Sequence, residues 1–319
     1  MKGVFLDRAT IDPSGVDFSQ LDQVIKDWQY FGLTSNDQIL NHLGRAEVAV
    51  TNKVPLNRGI IENAPFLKCI CVSATGTDHV DLAAAKERSI VVCNVRHYCT
   101  QAVIQHTFGL TISLMSRLLD FEKAVRAGEW SKSPIFCLPA FETQELDGKT
   151  FGIVGFGATG QGVAKVAEAF GMRVLISEHK DCSPEKIRSG REDFYTVLRE
   201  SDVLSLHCPL NPETKHLISK QELAQMKKAA LLINVARGGL IDEAALLKAL
   251  QAGQIKGAGF DVLAHEPPAI QDPLLSLPNV IITPHVAWNS VQSRQRLVNE
   301  IALNIQSYSS GNIRNQVNL

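Results

Sequence analysis

Three residues able to do acid–base chemistry stand just past apolar runs in the second half of the chain. Arg237 follows Leu231-Leu232-Ile233-Asn234-Val235-Ala236 and precedes Gly238-Gly239; Glu266 follows Asp261-Val262-Leu263 and precedes Pro267-Pro268; His285 follows Ile281-Ile282-Thr283-Pro284. Taken singly, each has a plain explanation in a surface turn, a cap or a satisfied imidazole. Together they match the needs of a 2-oxo acid undergoing reduction: a proton donor at the carbonyl oxygen, a cation for the carboxylate, and an anion that keeps the donor charged. His285, Arg237 and Glu266 would fill those roles in that order, without a metal, and neutral His285 would be the base in the reverse direction.

Such chemistry needs a hydride source. Gly155-Phe156-Gly157-Ala158-Thr159-Gly160 follows the apolar run Thr150-Phe151-Gly152-Ile153-Val154 and opens a helical pattern that Gly171 closes. The first glycine permits a tight turn, the second lets a pyrophosphate approach the backbone, and the third allows close packing of helix on strand. Free amides at the helix start then face the anion. About twenty residues on, the run Arg173-Val174-Leu175-Ile176-Ser177 ends in Glu178, where a carboxylate can accept both hydroxyls of an adenosine ribose. An acid there repels a 2′-phosphate, which favours NAD over NADP, although His179 and Lys180 stand beside it. The other reading of Glu178 is a solvated strand-end carboxylate. Gly148-Lys149-Thr150 mimics the end of a P-loop, but Thr143 occupies the place of that motif's first glycine.

A substrate carboxylate also needs donors from the first part of the chain. The small-residue stretch Ser73-Ala74-Thr75-Gly76-Thr77-Asp78 follows Lys68 to Val72, and the amides around Thr75, Gly76 and Thr77 could form an anion nest. The plain alternative is a strand-to-helix turn with Asp78 as the cap.

The elements that must position these residues are legible as alternation. Short apolar runs (Val4-Phe5-Leu6, Val48-Ala49-Val50, Lys68 to Val72, Ile90-Val91-Val92) alternate with helical patterns, which indicates a parallel sheet covered on both faces. A second series begins at Thr150 and runs through Arg173 to Ile176, Ser201 to Leu206, Ala230 to Ile233, Ala258 to Val262 and Val280 to Ile282, enough for a complete doubly wound sheet. Between the two, Thr100 to Leu118 is apolar over most of its circumference and reads as a helix buried between layers, domains or subunits. Gly128 to Lys149 reads as an irregular connection, and the stretch after Ser290 as a helix to about Tyr308 ended by Gly311.

Composition narrows the function classes. A chain of 319 residues favours two domains. Its 32 basic and 33 acidic residues leave a formal charge of -1, with no global positive field to hold a nucleic acid. Seven Cys scattered through apolar segments without a C-x-x-C pair suit buried thiols in a reducing compartment, not a disulfide framework or a zinc ribbon. The N-terminal apolar run is too short for a signal-peptide core, and the longest uncharged stretch, His97 to Ser116, is interrupted by Gln101, Gln105 and His106, so no membrane span is expected.

The chain resembles the D-isomer-specific 2-hydroxyacid dehydrogenases along nearly its whole length. The likeness lies in Val154 to Gly160, Leu206-His207-Cys208-Pro209-Leu210, Ile233 to Glu243, Asp261 to Pro268 and Thr283-Pro284-His285-Val286-Ala287. Within that family it is most similar to the glycerate dehydrogenase, or hydroxypyruvate reductase, branch, through Ala74 to Leu82, Val92 to Arg96 and Lys132 to Cys137. The resemblance implies an α/β fold of two Rossmann-like doubly wound domains. A cofactor domain, residues 100–287, would be inserted into a discontinuous flavodoxin-like substrate domain made of residues 1–99 and 288–319. It implies NAD as cofactor and a cytoplasmic homodimer built on the long helices near Thr100 to Leu118. The catalytic Arg, Glu and His fall on Arg237, Glu266 and His285. Cofactor contacts fall on Thr107, Gly155, Gly157, Thr159, Gly160, Glu178, His207, Pro209, Thr214, Val235, Arg237, Asp261, His285 and Ala287. Thr159 replaces a bulky aliphatic residue, and His97, Cys99 and Gln101 depart from the branch pattern, which bears on substrate choice. The implied reaction is NADH-dependent reduction of hydroxypyruvate, and of glyoxylate. The alternatives are a broad or lactate-type reductase and, in another class, an NAD-sensing binding protein resembling the corepressors of this fold.

Overall fold

Runs of three to five residues that send alternate side chains into two apolar layers build two parallel sheets. The computed structural model describes residues 1–12 and 15–319. These divide into two compact units, Met1–Cys99 with Trp288–Leu319, and Thr100–Ala287.

The first unit holds β1 (Lys2–Phe5), β2 (Asp27–Tyr30), β3 (Val48–Thr51), β4 (Cys69–Val72) and β5 (Val91–Cys93), in the order β2-β1-β3-β4-β5. That is the flavodoxin-like order. Along β4, Ile70 and Val72 pack in one apolar layer while Cys69 and Cys71 pack in the other. The second layer is closed by the helix Val291–Ser309, whose Leu297, Val298, Ile301 and Ile305 are fully buried. Its start is fixed by Ser290, whose hydroxyl accepts the Ser293 N–H at 3.1 Å. Gly311 lies just past its end at φ +78°.

The second unit holds β6 (Thr150–Val154), β7 (Arg173–Ile176), β8 (Val203–Leu206), β9 (Leu231–Asn234), β10 (Gly257–Phe260) and β11 (Val280–Ile282), in the order β11-β10-β9-β8-β6-β7. Beyond β7 the backbone pairs once more, in parallel, at Ser177 and Glu192. That single rung stands where a full strand would complete the 3-2-1-4-5-6 order of a dinucleotide-binding sheet. The order reverses between β6 and β8. The helix Thr100–Met115 packs Ile104, Phe108 and Leu110 into the same layer as Phe151 and Ile153. It stops earlier than the sequence pattern indicates, because Arg117 takes the left-handed conformation at φ +52° and a new helix, Leu118–Arg126, begins. Among the described residues, no helix is long and apolar enough to cross a membrane; all seven cysteines are free, but only Cys69, Cys71 and Cys93 are buried as expected, while Cys99, Cys137, Cys182 and Cys208 are half-buried.

Candidate active site

β9, β10 and β11 run side by side in register, with Asn234 opposite Phe260 and Phe260 opposite Ile282. Chains leaving the ends of these strands therefore start from one edge, and two strand spacings span only about 10 Å, the scale of a small acid and the side chains around it. Arg237, Glu266 and His285 all leave from this edge.

His285 and Glu266 meet directly. Nδ1 of the imidazole lies 2.6 Å from Oε2 of the carboxylate, and 29% and 35% of the two side chains remain exposed. The other carboxylate oxygen, Oε1, accepts the Leu263 N–H at 2.9 Å, which fixes the carboxylate against its own loop. Because Nδ1 faces Glu266, Nε2 is the ring nitrogen on the side away from the carboxylate.

His285 itself is held through its backbone. It sits at φ +54°, an uncommon conformation for a residue with a Cβ. Asp261, only 1% exposed, supports it: Oδ1 accepts the Val286 N–H at 2.9 Å and the Thr283 hydroxyl at 2.6 Å, and Oδ2 accepts the Ala287 N–H at 2.7 Å. His106 from the Thr100–Met115 helix adds a contact, its Nε2 being 2.8 Å from Thr283 Oγ1 and 3.5 Å from Asp261 Oδ1. Asp261, which the family resemblance implies as a cofactor contact, uses both carboxylate oxygens to organise the loop that carries His285. Nothing in the spacing of His106 and Thr283 gives them this supporting role in the sequence, where His106 stands only as a polar interruption and Thr283 as part of the run before His285.

Arg237 is placed by glycine. A Cβ on Gly238 would lie 1.9 Å from the Leu263 carbonyl carbon, so only glycine lets this turn press against the loop bearing Glu266. Asn234 ties the turn from within, donating Nδ2 to the Arg237 carbonyl at 2.8 Å and accepting the Ala236 N–H at 3.0 Å. The guanidinium is half-buried and donates Nη1 to the Ala236 carbonyl at 2.7 Å.

The glycine turn after β6 lies at the same edge, at the reversal in strand order. Gly155 takes φ +96°, and a Cβ there would meet the His207 and Cys208 backbone at 2.5 to 2.7 Å. Gly160 is as tight, a Cβ lying 2.2 Å from the Gly155 carbonyl oxygen. Gly157 differs: nothing lies within 4 Å of its Cβ position. The one glycine that the fold does not need for packing opens space at the start of the helix Ala158–Ala169, where an anion would meet free amides. The residues present thus fit a dinucleotide. Thr159 lies in the first turn of that helix and is half-buried.

Other anticipated contacts stand along the same carboxyl edge. Past β8, His207 places Nε2 2.9 Å from the Ser205 hydroxyl, and burial pushes its pKa down to about 4. The Pro209 carbonyl accepts the Thr214 hydroxyl at 2.7 Å, closing the next turn. Val235 and Ala287 are 9% and 5% exposed beyond β9 and β11. Thr107 is fully buried in the long helix, its hydroxyl donated to the Val103 carbonyl.

Glu178, at the end of β7, is 4% exposed. Both its oxygens are engaged from within the protein by Arg188, which donates Nε at 2.7 Å and Nη2 besides, and by the His179 N–H at 3.0 Å. The Arg188 guanidinium holds this carboxyl down at about pH 2. Lys180, named beside it from the sequence, turns instead to Glu222 at 2.9 Å.

In the other unit, described by itself, the loop Ser73–Asp78 leaves β4 with Thr75 exposed and Gly76 and Thr77 half-buried. Thr75 donates its hydroxyl to the Val95 carbonyl at 2.9 Å, and Asn94 donates Nδ2 to the Thr75 carbonyl at 2.7 Å. Asp78 is not the cap of the following helix. Asp81 is, accepting the Ala84 N–H at 2.8 Å.

Comparison with known proteins agrees with this geometry. Residues 108–287 match the model of the D-isomer specific 2-hydroxyacid dehydrogenase, NAD binding domain. The chain is 43% identical over 318 residues to a glycerate dehydrogenase of Methylorubrum extorquens, covering 99% of this chain and 98% of the relative. It is 35% identical over 321 residues to a hydroxypyruvate reductase of Blautia hydrogenotrophica, covering the whole of both. Among solved structures, an acyclic imino acid reductase in complex with NADPH and D-Arg superposes with a TM-score of 0.87 at 30% identity, covering 99% of this chain and 100% of that one. A family model spanning more than half the chain, relatives matched end to end, and an Arg, a Glu and a His on three adjacent strand ends lead to one statement: this chain belongs to the D-isomer specific 2-hydroxyacid dehydrogenases, and residues 108–287 are its NAD-binding domain.

Proposed function

We propose that the protein reduces hydroxypyruvate to D-glycerate, and glyoxylate to glycolate, with NADH. The observation that carries this reading is the 2.6 Å contact between His285 Nδ1 and Glu266 Oε2, which supports the imidazole as proton donor by setting a carboxylate behind it. The whole-length likeness to a glycerate dehydrogenase and a hydroxypyruvate reductase supports the choice of substrate.

When bound, NADH supplies the hydride for the carbonyl carbon. The glycine turn Gly155–Gly160 and the start of the helix behind it receive the pyrophosphate through main-chain amides. Arg237, its turn pressed against the Glu266 loop, holds the substrate carboxylate and stabilises charge developing on the carbonyl oxygen. His285 gives its Nε2 proton to that oxygen, while Glu266 stays ionised and stabilises the imidazolium. In the oxidative direction neutral His285 takes the proton back. Asp261 holds the main chain on which the imidazole is mounted.

We further propose a cytoplasmic homodimer. Supporting it are seven free thiols and the exposed apolar side chains Leu118, Leu119 and Val125 on the helix Leu118–Arg126.

The test is a panel of hydroxypyruvate, glyoxylate and pyruvate, followed by nucleotide oxidation, with light scattering for the mass in solution. Hydroxypyruvate should give the highest kcat/KM and pyruvate the lowest. A preference for pyruvate would replace this reading with a lactate-type reductase.

A further inference from the structure

In a dinucleotide-binding sheet, the acid ending the second strand meets the adenosine ribose and, if its charge is free, excludes a 2′-phosphate. Glu178 occupies that place, but its charge is not free. Oε2 accepts Arg188 Nε at 2.7 Å and the Arg188 N–H at 3.3 Å; Oε1 accepts Arg188 Nη2 and the His179 N–H at 3.0 Å. A carboxylate has about four lone-pair sites, and all four are taken. Arg191 brings a second guanidinium, with Nη1 3.7 Å from Oε1. One acid thus faces two permanent cations, and the cluster carries a net positive charge.

The loop holding these cations is anchored. Glu178 donates its N–H to the Glu192 carbonyl and Glu192 donates to the Ile176 carbonyl, both at 2.8 Å, so the segment after Arg188 is stitched to the edge of β7. Glu178 is nearly inaccessible, at 2% of its side chain, whereas Arg188 shows 54% of its own. Among the described residues, Arg188 Nη1 has no hydrogen-bond partner in the protein. It is a planar donor on an exposed fork whose other edge is already fixed.

We propose that Arg188, rather than Glu178, is the residue presented to the 2′ position of the adenosine ribose, and that it lets this protein bind NADPH as well as NADH. The inference rests on the reading of Thr100–Ala287 as a dinucleotide domain, and deepens it. With NADH, the fork donates to the ribose hydroxyl; with NADPH, the same fork and Arg191 meet the 2′-phosphate. The depressed pKa of Glu178 keeps its pairing with Arg188 intact throughout the neutral range.

The test is equilibrium binding, read from the fluorescence of NADH and NADPH on the intact protein without substrate. The wild type should bind NADPH within about tenfold of NADH. Arg188→Gln should weaken NADPH by about tenfold or more beyond whatever it takes from NADH, the worth of a charge-assisted contact to the 2′-phosphate. A wild type that binds NADPH more than about tenfold more weakly than NADH overturns the proposal, as does a variant that weakens both nucleotides equally, which is what a merely structural arginine does. Should Arg188→Gln fail to fold because it strands a buried carboxylate, Glu178→Gln decides: it releases Arg188 and should shift the ratio toward NADPH, and an unchanged ratio overturns the proposal. If neither nucleotide binds the wild type, the dinucleotide reading itself falls with it; binding of NADH alone leaves that reading standing.

Discussion

Gly238 lies against Leu263 so closely that a Cβ on the glycine would sit 1.9 Å from the leucine carbonyl carbon. Leu263 in turn donates its N–H to Glu266, which holds His285. The turn presenting the cation and the loop presenting the acid–base pair are therefore one packed unit. Gly238→Ala should misplace Arg237 and destabilise the domain together. We expect a loss of about 2–4 kcal/mol, since the clash is with backbone that cannot rotate away; urea denaturation measures it.

His285→Ala removes the proton donor while leaving the glycine turn untouched. Turnover of hydroxypyruvate should fall about 10²–10⁴-fold, with the NADH dissociation constant nearly unchanged. Steady-state rates beside a fluorescence titration separate the two, and near-normal turnover would end the assignment of His285.

Asp261→Asn keeps the shape but replaces one acceptor oxygen with an NH₂ group facing donors. Either the Val286 and Thr283 side or the Ala287 N–H loses its partner, and a buried unpaired donor costs about 1–3 kcal/mol. The expected result is a lower melting temperature and a drop in kcat. NADH affinity should hold, because the damage is to the loop carrying His285. Lost NADH affinity at unchanged kcat would make Asp261 a cofactor contact instead.

Two glycines of one turn should fail in opposite ways. Gly160→Ala would place a Cβ 2.2 Å from the Gly155 carbonyl oxygen, so folding should suffer. Gly157→Ala meets nothing within 4 Å, so its melting temperature should match wild type while NADH binding is lost. If Gly157→Ala binds NADH normally, the pyrophosphate does not lie there.

His207 supplies a pH dependence of stability. Burial lowers its folded-state pKa to about 4, against the ordinary value of 6.5, so between those pH values the unfolded chain binds the proton and the folded one does not. Its contribution is complete above pH 6.5 and is lost as pH falls toward 4; His79, also lowered to about 4, acts in the same sense. Chemical denaturation at pH 7 and pH 5 should differ by about 1–3 kcal/mol. His207→Asn should shrink that difference. An unchanged difference would place the imidazole in solvent.

What could be read from the residues followed physical rules of different strength. Strands such as Leu231–Asn234, buried on both faces, leave uninterrupted apolar runs and were legible. Asp27–Tyr30 leaves no such run because it is an edge strand, Asp-Trp-Gln-Tyr, exposed at every second residue. The strand that would complete the second sheet survives as one rung at Glu192, too short to leave any periodicity. Arg237, Glu266 and His285 could be found because each follows an apolar run, and ligands gather at strand ends. The pairing of Arg188 with Glu178 could not, since the partners stand ten positions apart around a loop broken by the short turn Pro184–Lys186, and only folding brings them together. Nor could the break at Arg117, which adopts a left-handed conformation without the glycine or asparagine that usually announces one.

Asp261 grips the amides of residues 286 and 287, and every amino acid except proline offers such an amide. Replacement of Val286 by most other residues would leave that grip intact, whereas proline there would remove the donor outright. A library randomised at position 286 should therefore retain active members of widely different size and polarity, and one randomised at 261 should return almost none.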